Sequence, residues 1–64
     1  MREAELWTRM REVLPEGYVA AWADQVVLTA LGDRTVHEAL AAGLACKAIW
    51  RAVWAQLELP ASLR

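Results

Sequence analysis

One cysteine and one histidine in 64 residues constrain this chain more than any other feature. Cys46 has no second cysteine to bridge to within the chain, and His37 alone cannot anchor a four-ligand metal site. A chain this short buries only about 60% of its unfolded surface and is marginally stable. Natural domains of this size often add a disulfide, a metal or a partner subunit. With the first two removed, tight helix packing remains, aided by association with another chain. Thirteen of the apolar residues are Ala, which favours helix but adds little area to a core. Nine Leu, six Val and four Trp supply the bulk. Each of Trp7, Trp22, Trp50 and Trp54 buries about 150–250 Å² when packed.

The apolar spacing predicts an all-α fold, a compact bundle of about four short helices in one domain spanning residues 1–64. The first helix is expected over Arg2–Leu14, carried by Leu6, Met10, Val13 and Leu14 and ended by Pro15. The second is expected over Glu16–Leu31. Its wide stripe of Val19, Trp22, Ala23, Val26, Val27, Ala30 and Leu31 suits a central helix, and Gly32 is its stop. The third, Val36–Ala42, opens on the capping-box pattern of Thr35 and Glu38 and ends at Gly43. The fourth, Ala45–Leu57, carries Ile49, Val53 and Leu57 on one stripe and Trp50 and Trp54 on the next. The tail from Pro60 is expected to be extended, with Leu59 and Leu63 packing back.

Ala39, Gly43 and Ile49 sit at the offsets of a helix-turn-helix. A small residue lets two helices approach, a glycine takes the left-handed turn, and a later apolar residue locks the second helix. Leu44 falls at the buried apolar position of such a turn. In a DNA reader, the N-terminal part of the second helix enters the major groove. Its outward residues would be Ala45, Cys46, Lys47, Trp50, Arg51 and Trp54, with Arg34 adding a phosphate contact. The same spacing arises in any tight helical hairpin, and the electrostatic footprint is thin. Residues 1–33 carry three basic residues against six acids, a net −3, and residues 34–64 carry four against two, a net +2. The overall charge of −1 argues against a general nucleic-acid coat.

Trp50 and Trp54 admit two readings. They complete the core, or they form an exposed aromatic anchor flanked by Lys47 and Arg51, of the kind enriched at interface hot spots. Cys46 is expected to be a half-buried small apolar residue, and His37 a solvated one. Ser62, the only serine, lies in the tail, and Gly17, Gly32 and Gly43 form no phosphate loop. The chain is expected to have little room for a pocket of about 300 Å³, the lower end of ligand sites. No enzymatic activity, cofactor or metal is expected. No apolar run reaches transmembrane length, so no membrane partner is expected. The charged start MREAELWTRMREVL is not expected to be a leader. The Met1 start is that expected of a complete small protein, and the lone thiol fits the cytoplasm.

The segments ELWTRM (5–10), VLTALGDRTVHEALAAG (27–43), IWRAVW (49–54) and LPASLR (59–64) resemble the small actinobacterial proteins of unknown function grouped as DUF3046. The resemblance spans nearly the whole chain in one register. It implies a helical cytoplasmic protein of about this length. Through gene neighbourhood it also implies a link to recombination or DNA repair. It supplies no catalytic or binding positions. Where the family pattern has a smaller residue, often cysteine, this chain has Trp54, which points to a local packing role for that ring. The function expected from these observations is a small non-enzymatic binding module, acting on a protein partner or a second copy of itself. The alternative is a helix-turn-helix-like DNA-binding accessory protein. The expected surface is Arg34, Lys47, Trp50, Arg51 and Trp54.

Overall fold

The computed structural model describes residues 1–15 and 17–63, with the backbone alone at Leu63. Four α-helices follow in order: α1 (Glu3–Val13), α2 (Val19–Gln25), α3 (Val36–Ala41) and α4 (Cys46–Gln56). Single 3₁₀ turns stand at Thr29–Leu31 and Ala61–Leu63. The all-α expectation holds. The expected helix start at Glu16 and the packing of the Leu63 side chain lie outside the described residues.

Helix α1 buries Leu6 and Met10, one turn apart, and exposes its charged faces. Its end follows from Pro15, which disfavours helical backbone at the preceding residue. Leu14 is extended (φ −117, ψ 150) while its N–H still donates to the Met10 carbonyl. Helix α4 presents Ile49, Trp50, Ala52 and Val53 to the interior. It packs against α1, α3 and the Thr29–Leu31 turn, and α2 packs on α3. The deepest side chains are Leu6, Met10, Leu28, Val36, Ile49 and Val53.

The second helix is much shorter than its apolar stripe predicts. It stops at Gln25, and Val26 turns extended (φ −81, ψ 120). The reason lies partly in the β-branched pair Val26–Val27, which loses side-chain freedom in a helix. It lies also in a tertiary pairing. The Leu28 N–H donates to the Arg34 carbonyl at 2.9 Å, closing an isolated antiparallel bridge. In extended backbone, successive side chains point to opposite faces. Leu28 is accordingly 1% exposed and Val27 50% exposed. The loop turns at Gly32 (φ 72) and Asp33 (φ 61). A Cβ on Gly32 would lie 2.9 Å from Arg34 Nη1, the mobile end of a long side chain, so it is the left-handed backbone that favours glycine there.

Helix α3 starts and stops on local chemistry. The Glu38 N–H donates to Thr35 Oγ1 at 3.1 Å, and the Thr35 N–H donates to Glu38 Oε1 at 2.9 Å. This is the expected capping box. At the other end Gly43 is left-handed (φ 80). Its N–H reaches the Leu40 carbonyl, and the Leu44 N–H reaches the Ala39 carbonyl, the paired bonds of a Schellman stop. Leu44 itself is 36% exposed rather than buried in the turn, because the chain leaves the helix there toward solvent. Helix α4 ends the same way, with Glu58 in the left-handed position (φ 53). The Glu58 and Leu59 N–H groups bond the Ala55 and Trp54 carbonyls. After Pro60 the tail forms a 3₁₀ turn, not the extended segment expected. Leu59 packs against the core as anticipated.

Two predictions follow from these helix ends. Thr35→Ala removes one half of the capping box and lowers stability by about 1 kcal/mol. For a domain of this size that lowers Tm by roughly 4–8 °C, measured by circular dichroism. Glu58→Gly relieves a left-handed non-glycine residue, which costs about 1–2 kcal/mol, offset by glycine's greater freedom in the unfolded chain. It raises stability by about 0.5–1 kcal/mol, and a lower Tm would contradict the strain at Glu58.

Candidate functional site

Lys47 and Arg51 stand one turn apart on the exposed side of α4, where their i,i+4 spacing puts them on one face. No ion pair joins either to another described residue. Across the α1–α4 contact, Arg9 of α1 lies over the Trp50 ring, with Cζ 5.7 Å from its centroid. Met1, Glu5, Arg9, Lys47, Trp50 and Arg51 line one cleft of about 260 Å³. Three cations and one carboxylate thus meet around a single indole. The carboxylate of Glu5 reaches Arg9 at 3.5 Å, with both groups open to solvent, a pair worth little in stability. Arg9 is not part of the surface expected from the sequence. Its place over Trp50 depends on how α1 crosses α4.

The other expected surface residues part company with this cleft. Trp50 is 2% exposed, so it is a core ring that floors the cleft rather than an exposed anchor. Trp54 is half-buried, and its Nε1–H donates to the Pro60 carbonyl at 2.9 Å, tying the tail to α4. Arg34 does not line this cleft; its Nη1 donates to the Leu31 carbonyl at 3.0 Å, and the residue stays exposed.

Of the positions expected of a helix-turn-helix, Ala39 and Ile49 are fully buried and Gly43 is left-handed, while Leu44 is exposed. The outward stripe required of a groove reader is nonetheless largely covered. Trp50 is buried, and Cys46 and Trp54 are half-buried. Arg9 from α1 lies on one ring and the tail on the other. Ala45, Lys47 and Arg51 remain open.

A second concavity lies between α1, the start of α2 and α3. Trp7, Arg11, Gly17, Val19, Ala20 and His37 line an open groove of about 680 Å³. This overturns the expectation that so short a chain has little room for a ligand-sized hollow. His37 is exposed but not idle. Its ring lies 5.5 Å from that of Trp7, tilted by 54°, and its Nδ1 is 3.5 Å from Asp24 Oδ1. Cys46 is half-buried, as expected. Among the described residues no group of three or more His, Cys, Asp or Glu comes together as metal ligands. Among the described residues no helix is long and apolar enough to cross a membrane.

A family model described as a protein of unknown function, DUF3046, matches residues 1–62. No curated protein and no solved structure matches the chain.

Acrylamide quenching separates the four indoles. Trp7→Phe lowers the quenchable fraction of the fluorescence, because Trp7 is half-exposed in the open groove. Trp50→Phe leaves that fraction unchanged. Loss of the most accessible emission on Trp50→Phe would mean that α1 does not cover that ring.

Proposed function

The chain belongs to the DUF3046 family, and from that premise we propose that it is a non-enzymatic helical binding module of the cytoplasm. Its cationic α1–α4 cleft receives an acidic segment of a partner protein. The observation that carries this reading is the convergence of Arg9, Lys47 and Arg51 on one cleft, with Glu5 the only acid among its described lining residues. Lys47 and Arg51 have no internal ion partner among the described residues, so their charge is available to another molecule. Complementary charge of this kind governs association rate and partner choice more than raw affinity. The buried Trp50 gives the cleft a rigid apolar floor, and Arg9 is already positioned over it.

An acidic protein segment suits the cleft better than a DNA duplex. The molecule is 26 × 24 × 21 Å across its principal axes. A duplex presents a charge about every 1.7 Å along its axis. Laid on α4, it would extend beyond the cleft toward the carboxylates of α1, where Glu3, Glu5 and Glu12 stand exposed. A short acidic segment stays within the cleft, where three cationic side chains face it against the single carboxylate of Glu5 among the described lining residues. The non-enzymatic part of the reading rests on His37 being engaged with Trp7 and Asp24 rather than with Cys46. The cytoplasmic part rests on the single free thiol.

The test is fluorescence anisotropy with a labelled ten-residue Glu/Ala peptide and, separately, a labelled DNA duplex. The peptide binds at low salt, weakens as salt rises, and loses about fivefold or more in affinity with Lys47→Ala or Arg51→Ala, about 1 kcal/mol. Circular dichroism confirms that these surface variants fold. Absence of peptide binding at low salt, or binding indifferent to both variants, overturns the reading. Duplex binding with steep salt dependence, lost in the same variants, would assign the face to nucleic acid instead.

A further inference from the structure

A cleft that receives carboxylates is weakened by one of its own, yet Glu5 lines the α1–α4 cleft beside Arg9, Lys47 and Arg51. Its place follows from the sequence. Glu5 and Arg9 are four residues apart on α1, with the acid before the base, the favourable order along a helix. Glu5 Oε2 lies 3.5 Å from Arg9 Nη2, and the two side chains are 48% and 37% exposed. Well-formed contacts between such groups close to about 2.7–2.9 Å. This pair is longer than that and stands in solvent, so little holds it together.

Arg9 therefore has two ties of different kinds. One is to Trp50, with Cζ 5.7 Å from the ring centroid, within reach of a cation–π contact. Trp50 is fixed in the core, so this tie keeps the guanidinium in the cleft when Glu5 lets go. The other tie, to Glu5, is replaceable. A carboxylate from outside offers the same guanidinium the same acceptor oxygens and the same charge. Glu5 pairs with Arg9 and with neither Lys47 nor Arg51. An arriving acid thus meets Lys47 and Arg51 open and Arg9 already engaged.

We infer that Glu5 is a built-in competitor for this site. Its carboxylate occupies Arg9 in place of the partner's and is displaced when an acidic segment binds. The inference rests on the acidic-segment reading and adds the selectivity of that same cleft. A segment with one carboxylate settles on Lys47 or Arg51 and leaves the Glu5–Arg9 pair intact. A segment with several engages all three cations, the last only after Glu5 parts from Arg9. Glu5 is the repulsive element that discriminates against weakly acidic partners.

Anisotropy titrations of the labelled Glu/Ala peptide in about 0.1 M salt, where the Debye length is about 10 Å, test the inference. Glu5→Gln raises the affinity about threefold, the scale of one exposed ion pair. Glu3→Gln removes the same charge from the same first turn of α1, but Glu3 does not line the cleft. It changes the affinity by about 1.5-fold at most, because screening weakens charges outside the cleft. Arg9→Gln has little effect in the wild-type background and costs about threefold in the Glu5→Gln background, a cycle that isolates the pair. A purely structural Glu5, steadying the first turn of α1, predicts the reverse: a lower Tm and no gain in affinity. Circular dichroism confirms that each variant folds. Equal gains from Glu5→Gln and Glu3→Gln, or a Glu5→Gln gain that persists without Arg9, overturn the inference. So does peptide binding that depends on Lys47 and Arg51 but is unmoved by Glu5→Gln, an outcome that leaves the acidic-segment reading standing. No peptide binding by the wild type or any variant overturns both.

Discussion

The packing of α4 against α1 through Ile49, Trp50 and Val53 is the contact on which the rest of the molecule depends. With one cysteine and no cluster of metal ligands among the described residues, side-chain packing must hold the chain. Leu6 and Met10 from α1 and Ile49 and Val53 from α4 are all fully buried. Truncating any such residue typically costs about 2–5 kcal/mol, a large share of a small domain's total stability. Trp50 then joins core to surface. One side of its ring completes the packing, and Arg9 lies over it where the cleft opens. The geometry of the cationic cleft is therefore a consequence of the core, and it is as rigid as the core.

Helices this short do not persist alone. Isolated helices below about 12–15 residues are marginal in water, and here they run from six to eleven. Their ends are consequently well specified. A capping box starts α3, and paired Schellman bonds close α3 and α4. The Leu28–Arg34 bridge ties the long connection between α2 and α3. That connection delivers Leu28 and Leu31 to the core, and its Thr29–Leu31 turn packs on α4. An ordinary helical bundle would use a helix there. This chain uses a folded loop, which the Leu28–Arg34 backbone pairing and one hydrogen bond from the Arg34 side chain help to close.

The two concavities divide the surface chemistry. One gathers three cations around a buried indole. The other lines an open hollow with apolar groups and a single guanidinium. Each draws on residues from at least two elements, so neither is a property of one helix. Ala39, Gly43 and Ile49 have the residue spacing of a DNA-reading motif. Its would-be reading stripe, however, is shared with α1 and the tail, which leaves Lys47 and Arg51 as its open charges.

What depended on neighbouring residues was legible in the sequence. Pro15 ends α1, Thr35 and Glu38 cap α3, Gly43 stops it, and the 49–53 spacing marks the buried face of α4. These features need only bonds within one turn, so residue order specifies them. The run Val26–Leu31 was not legible, because apolar residues in a short stretch suit helix and extended chain alike. A hydrogen bond to Arg34, six residues on, decided between them. Trp50 was ambiguous for the same kind of reason: its position on α4 is local, but its burial waits for α1. Arg9 gave no sign in the sequence of the ring it covers. By itself the sequence determined the helices, their ends and the absence of covalent staples. Only the tertiary structure decided which charges converge and where a hollow remains, because those depend on how helices cross, and crossing is set by side chains distant along the chain.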